Sequence, residues 1–225
     1  MSSQPKAPVK RVLSREYILK SALYFIDHEG LEALNLRALG RQMGVSQAAM
    51  YRYVPNKAAL LDGVVELIWQ QATALGEMPD ELGWREGLEL VMTQVYHTLL
   101  LHPNAITLIA THPINTAESF QLVQGWLALL TEHGLKVDSS TMFLFNALAG
   151  LTLGCAIAQA EPPAGGAGGQ TNIDLVKQLA DQFPALSTFL SPLTSLDFTL
   201  EQSYLEGLHA LISGWPEAGT KPTQA

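Results

Sequence analysis

Apolar residues recur three and four positions apart along most of the chain, the spacing of one helix face, and no run alternates in the manner of a half-buried strand. Ser14 caps a predicted helix from Arg15 to about His28, with Tyr17, Leu19, Leu23, Phe25 and Ile26 on its apolar side and Gly30 as its stop. Asn35 caps a second, Leu36 to Met43, whose Leu36, Leu39 and Met43 share a face. Gly44 can turn left-handed, and Ser46 then caps a third helix from Gln47 to Tyr53. Pro55 removes a backbone donor and drives Val54 from helical geometry, so this helix must be short. Asn56 caps a fourth, from Lys57 to about Leu75, through Leu60, Leu61, Val64, Leu67 and Ile68.

Longer amphipathic segments follow: about Trp84 to Leu101, Asn104 to Thr111, Ala117 to His133 and Ser139 to Gln159. "EPPAGGAGG" reads as a flexible loop. A short helix over Ile173 to Gln182 precedes "FPALSTFLSPLTS", which the pattern leaves unassigned, and a last helix spans about Phe198 to Ser213. The expected fold is all-α: a helix-turn-helix domain over residues 1–60, joined through a connector helix at 57–75 to a larger helical-bundle domain over 61–225.

Composition narrows the class. A length of 225 residues with 48% hydrophobic content can bury a sizeable core. A lone cysteine, Cys155, excludes a disulfide framework and fits a reducing cytoplasm. The start, "MSSQPKAPVKRVLSREY", lacks the apolar stretch of a signal peptide. Met142 to Ala158 is interrupted by Asn146, Thr152 and two glycines, so a membrane span is not expected. The net charge of -8 conceals an asymmetry. Up to Lys57 there are nine Lys and Arg against four acids, whereas the remainder has four against seventeen. A basic head on an acidic body is the electrostatic layout of a nucleic-acid reader fused to another module.

Two short helices joined by Gly-Val-Ser make a helix-turn-helix, whose second helix suits the major groove. With Met50 turned inward beside Val45 and Leu39, Gln47, Ala48, Tyr51 and Arg52 face outward. An amide at Gln47 can pair bidentately with adenine, Ala48 and Ala49 permit close approach to thymine methyl groups, and Arg52 can meet guanine or phosphate. Tyr51 and Tyr53 offer hydroxyls to the backbone, and Lys57 adds charge where a helix start already favours phosphate.

"LNLRALGRQMGVSQAAMYRYVPNKAALLDGV" resembles the signature of the TetR family of transcriptional regulators, in the branch of the tetracycline repressors. The resemblance covers Arg15 to Val65 and continues through "LLTEHGLKVDSS", "THPINTAESF" and "GLTLGCAIA". It implies a homodimer on a two-half-site double-stranded operator, with a small-molecule pocket in the larger domain. By position, Asn35, Arg37, Gln47, Ala48, Ala49, Tyr51, Arg52, Tyr53 and Lys57 fall where relatives touch DNA. Arg52-Tyr53 stands where that branch has an aromatic-imidazole pair, so a different operator is expected. The branch holds a magnesium-drug chelate through a histidine and a glutamate, whose places here are Leu108 and Ala158. Neither group is present, so no metal or other cofactor is expected and tetracycline is not the expected effector. An apolar or aromatic effector is expected instead, lined by Met92, Tyr96, Trp126, Phe143 and Asn146 with Thr111 and His112 at the turn; plain core packing would use the same residues.

Gly150 and Gly154, four apart in "LFNALAGLTLGCAIAQ", admit close approach of another helix, and "YLEGLHALI" supplies a second apolar face. His97 and His102 are five apart and complete no site, and no nucleophile, phosphate loop or acid-base pair is evident, so catalysis is not expected. The expected function is a cytoplasmic repressor released from a palindromic operator by a small hydrophobic effector. An activator or a ligand-independent DNA binder with the same head remains open, as does an all-α enzyme with an incidental helix-turn-helix.

Overall fold

A computed structural model describes residues 13–74, 78–112, 114–160, 173–194 and 199–216, and those residues hold helices and turns with no strand. The first helices are α1 (Arg15–Glu29), α2 (Leu36–Met43), α3 (Gln47–Met50) and α4 (Lys57–Ala72). Four short polar side chains start them: Ser14, Asn35, Ser46 and Asn56 each accept a hydrogen bond from the amide three residues on, satisfying a donor that no helical carbonyl can reach. Gly30 (φ 83°) ends α1, and Gly44 (φ 67°), in the left-handed conformation, turns the chain out of α2.

The third helix is shorter than its sequence predicts. Instead of reaching Tyr53 it ends at Met50, and Tyr51 to Tyr53 form a tight turn. The amides of both Tyr53 and Val54 converge on the Met50 carbonyl, at 2.9 and 3.0 Å, and Val54 is drawn into the core.

The body comprises α5 (Trp84–Leu101), a 3-10 turn at Pro103–Ala105 running into α6 (Ile106–Thr111), α7 (Ala117–Glu132), α8 (Ser139–Ala160), α9 (Ile173–Gln182), α10 (Pro184–Thr194) and α11 (Leu200–Ser213). The stretch left unassigned by pattern is therefore helical. Pro184 reads as a breaker, yet as the first residue of α10 it has no helical amide to lose. Leu75, Pro113, Phe198, the "EPPAGGAGG" stretch and the basic residues Lys6, Lys10 and Arg11 lie outside the described residues.

Helix α4 touches both parts: it packs on α1, and also on α5, α6 and α7. Helix α5 lies between α4 and the pair α8 and α11. The α8 stripe Thr141, Leu144, Leu148, Thr152 and Ala156 is buried at helical spacing. Its opposite side, with Phe143, Asn146, Gly150, Gly154 and Ile157, is exposed. This double character makes α8 long and apolar enough to cross a membrane by composition, with mean hydropathy 1.7. One side is already packed against protein.

Candidate nucleic-acid interface and effector region

Helices α2 and α3 pack tightly because residue 40 is glycine. A Cβ there would sit 2.9 Å from the Val45 carbonyl oxygen and 3.2 Å from the Met50 methyl. Met50 and Leu39 are fully buried, which fixes the rotation of α3 about its axis. Gln47, Ala48, Tyr51, Arg52 and Tyr53 are consequently exposed together, with Ala49 half-buried behind them. Asn35, Arg37 and Lys57 are exposed as well. Asn35 and Ser46 spend their side-chain oxygens on caps, so the Asn35 amide nitrogen rather than its oxygen is turned outward from the cap, donating to the Ala33 carbonyl at 3.2 Å. The Gln47 amide nitrogen donates to the Tyr51 hydroxyl at 2.9 Å, across one turn.

The head is fastened to α4 by a close approach and an ion pair. At Gly63 a Cβ would lie 2.5 Å from a Leu19 methyl, so the Leu19 side chain of α1 rests directly on the α4 backbone. Beside it the Arg15 guanidinium donates to Glu66 at 3.1 Å, and Gln70 donates to the other carboxylate oxygen at 3.2 Å. Glu66 is buried, so this pairing offsets the desolvation of its charge.

Two body histidines reach back to these elements. His102 Nδ1 meets Asp27 of α1 at 2.9 Å while its Nε2 meets the Gln71 side-chain oxygen at the far end of α4, at 3.1 Å. Asn104 adds a 2.8 Å bond to the Asp27 carbonyl. His112 donates to Asp62, near the start of α4, at 2.7 Å. Helix α4 is thus gripped near both ends. Spacing gave no sign of this, since the partners of these two histidines are 31 to 75 residues away.

Two of the residues expected to line an effector pocket, Phe143 and Asn146, lie on the outward side of α8. Met92 and Tyr96 are buried against α11, where the Tyr96 and Tyr204 rings stack with centroids 4.1 Å apart. The Tyr204 hydroxyl donates to the Met92 carbonyl at 2.8 Å and lies 3.2 Å from Thr152, while Tyr96 donates to Gln159 at 2.6 Å. Burial drives the Tyr204 phenol up to about 12 and also raises Tyr96 and Cys155. Trp126 is half-buried on α7. Thr111 donates to its own helix at the Thr107 carbonyl, and His112 is committed to Asp62. Phe143 and Asn146 fall between the buried positions of α8 and therefore point outward, Phe143 at 66% exposure. Tyr204 is the residue that pattern missed in this cluster: its core spacing was visible, its bond to a helix 112 residues away was not.

Leu108 is buried and Ala158 exposed, so the two places of the chelate carry no ligand atoms. Among the described residues no three His, Cys, Asp or Glu side chains gather as a metal site would need.

Comparison with known proteins matches both parts. Residues 18–64 fit the family described as "Bacterial regulatory proteins, tetR family", and residues 78–218 fit "Tetracyclin repressor-like, C-terminal domain". The class D tetracycline repressor protein of Escherichia coli is 26% identical over 90% of this chain and 89% of its own length. The transcriptional repressor DrrR1 of Streptomyces coeruleorubidus is also 26% identical, over 69% of this chain; the match spans 57% of DrrR1. Apo ActR from Streptomyces coelicolor shares the fold with a TM-score of 0.71 at 22% identity, over 92% of this chain and 96% of its own. Other similar structures are ActR in complex with actinorhodin, at a TM-score of 0.71 and 23% identity over 93% and 96% of the two chains, and a TetR variant from Acinetobacter baumannii AYE in complex with minocycline, at 0.67 and 18% over 95% and 100%.

Proposed function

From the premise that this chain belongs to the TetR family of bacterial transcriptional regulators, we propose that it is a homodimeric repressor that leaves a palindromic operator when a small apolar or aromatic molecule binds its body. The observation that carries this reading is the seating of α3: Gly40 and buried Met50 hold Gln47, Ala48, Tyr51 and Arg52 together on the outside. Gln47 and Arg52 then read base edges, Ala48 and Ala49 allow close approach, and Asn35, Arg37, Tyr51, Tyr53 and Lys57 fix register on phosphates. Lys57 stands at the first turn of α4, where unpaired amides favour an anion.

A palindrome needs two heads. Support for a second copy comes from the outward stripe of α8, where Gly150 and Gly154 have open space beside them and Phe143 and Ile157 are exposed. Leu205 of α11, the helix packed on α8, is exposed as well. Two such helices from each chain give a four-helix interface, isologous as a two-fold operator requires. The same interface accounts for an apolar α8 in a DNA-binding protein of the cytoplasm.

The domains divide at residue 60, with 57–75 as connector. An effector enters beside Met92, Tyr96 and Trp126, with Thr111 and His112 at the end of α6. Occupancy moves α6 relative to α5, and the grip on α4 at Asp62 and Gln71 turns that movement into a new separation of the two heads. The operator then no longer meets both. The ligand complexes of ActR and of the Acinetobacter protein support a body that accommodates small molecules. Selecting bound duplexes from a random library, then measuring transcription from a promoter bearing the selected site with and without the protein, tests the reading. Repression means that removing the protein raises transcription; a fall marks an activator.

A further inference from the structure

We propose that Tyr51 sets operator specificity by holding Gln47, so that amide and phenol form one reading unit rather than two independent contacts. The inference rests on the reading of α3 as the DNA-contacting element and asks more of it. The Gln47 amide nitrogen donates to the Tyr51 hydroxyl at 2.9 Å, and both side chains are exposed on the surface that α3 presents. A glutamine amide has two N–H groups and one carbonyl oxygen. Bidentate pairing with adenine uses one N–H, given to N7, and the carbonyl, which accepts from the N6 amino group. One hydrogen is left over, and the bond to Tyr51 takes it. The carbonyl oxygen, which the phenol leaves unengaged, remains for the base.

The arrangement works because of where the helix ends. Tyr51 follows the last residue of α3 and keeps helical backbone angles (φ −59°, ψ −19°), its amide still bonded to the Gln47 carbonyl at 3.1 Å. That places it one turn beyond Gln47 on the same side. Met50 before it and Val54 three residues after it are both buried, which ties this turn to the core. An unrestrained glutamine must give up the freedom of its three side-chain torsions on meeting a base; here part of that ordering precedes binding. Since the phenol accepts from Gln47, its own hydrogen stays free for a phosphate oxygen, and a single residue serves position and backbone together.

The test is a selection from a random double-stranded DNA library with the full-length dimer, repeated for Gln47→Ala, Tyr51→Phe and the double variant. Both side chains are exposed, and thermal melts check that the variants fold. Gln47→Ala should flatten the preference at one base pair in each half-site, by about fivefold to a hundredfold. Tyr51→Phe should flatten that same base pair by about three- to tenfold, the scale of one lost hydrogen bond. In the Gln47→Ala background Tyr51→Phe should leave that base pair unchanged. If Tyr51→Phe weakens every sequence by one common factor and keeps the base preference intact, Tyr51 is a phosphate contact alone and the inference fails. If Gln47→Ala alters no base preference while wild type still selects a motif, the inference fails and the DNA-binding reading stands. If wild type selects no motif at all, both fall.

Discussion

The head and the body are both helical, and Thr116 and Thr199 start body helices as short polar residues start those of the head, yet the body adds side-chain bonds of longer range. Every start in the head is fixed by a side chain three residues from its partner: Ser14 to Tyr17, Asn35 to Ala38, Ser46 to Ala49, Asn56 to Ala59. The body is tied across the chain. Tyr204 reaches Met92, Tyr96 reaches Gln159, and Arg85 reaches the Ile212 and Trp215 carbonyls at separations of 63 to 130 residues. A unit built from local bonds keeps its shape while the rest moves, and a reading surface needs that rigidity. A unit built from distant bonds can adopt a second packing, and a switch needs that freedom.

Removing a core contact in the head should have the largest effect. Leu39→Ala deletes a fully buried side chain beneath α3 and should cost about 2–5 kcal/mol. Operator binding should disappear while helicity of the body persists to higher temperature, seen as two transitions in circular dichroism. A single transition in which both parts melt together would break the contrast between the regions.

The body counterpart is Tyr204→Phe, which leaves the Met92 carbonyl without its buried donor and should cost about 1–3 kcal/mol. Urea midpoints should fall, but the base preference of the folded protein should not change. The same residue makes a prediction about pH. Burial lifts its phenol from 10.0 to about 12 in the folded chain, so the unfolded chain loses that proton first. The stabilisation from Tyr204 is whole below pH 10 and is lost as pH rises from 10 through 12. Midpoints measured across that interval should fall more steeply for wild type than for Tyr204→Phe.

Smaller still is the effect of loosening the grip between the regions. His112→Ala removes a half-buried pair with Asp62 and should change stability by only about 1 kcal/mol. Hydrogen exchange should quicken at the start of α4 while protection of α2 and α3 holds. Faster exchange throughout the head would mean that the pair stabilises the reader itself.

The same difference in range decides what could be read from sequence. The α1, α2 and α4 starts, the left-handed Gly44 and the inward Met50 are each dictated by one or two adjacent residues, and all are legible in the chain. The end of α3 is not, because it goes with the burial of Val54, a tertiary contact that no local pattern specifies. Pro184 concealed α10 because a proline that opens a helix and one that breaks it look alike without the fold. The effector region resisted for a stronger reason. Phe143 and Asn146 share apolar or polar pocket chemistry with Met92 and Tyr96, but a shift of one or two residues along α8 separates its inner from its outer side. The grip of His102 and His112 on α4 joins residues that no spacing rule connects.

The most direct measurement is the affinity of the folded protein for its selected duplex against random competitor, across a range of salt, for wild type and Arg52→Ala. A reader that combines phosphate and base contacts binds the selected site far more tightly than random DNA, and its affinity falls steeply with salt. Arg52→Ala should then lose about 1–3 kcal/mol on the selected site and little on random DNA if the guanidinium meets a base. Equal, salt-insensitive binding to both duplexes by wild type would contradict the assignment of α3 as the reading element.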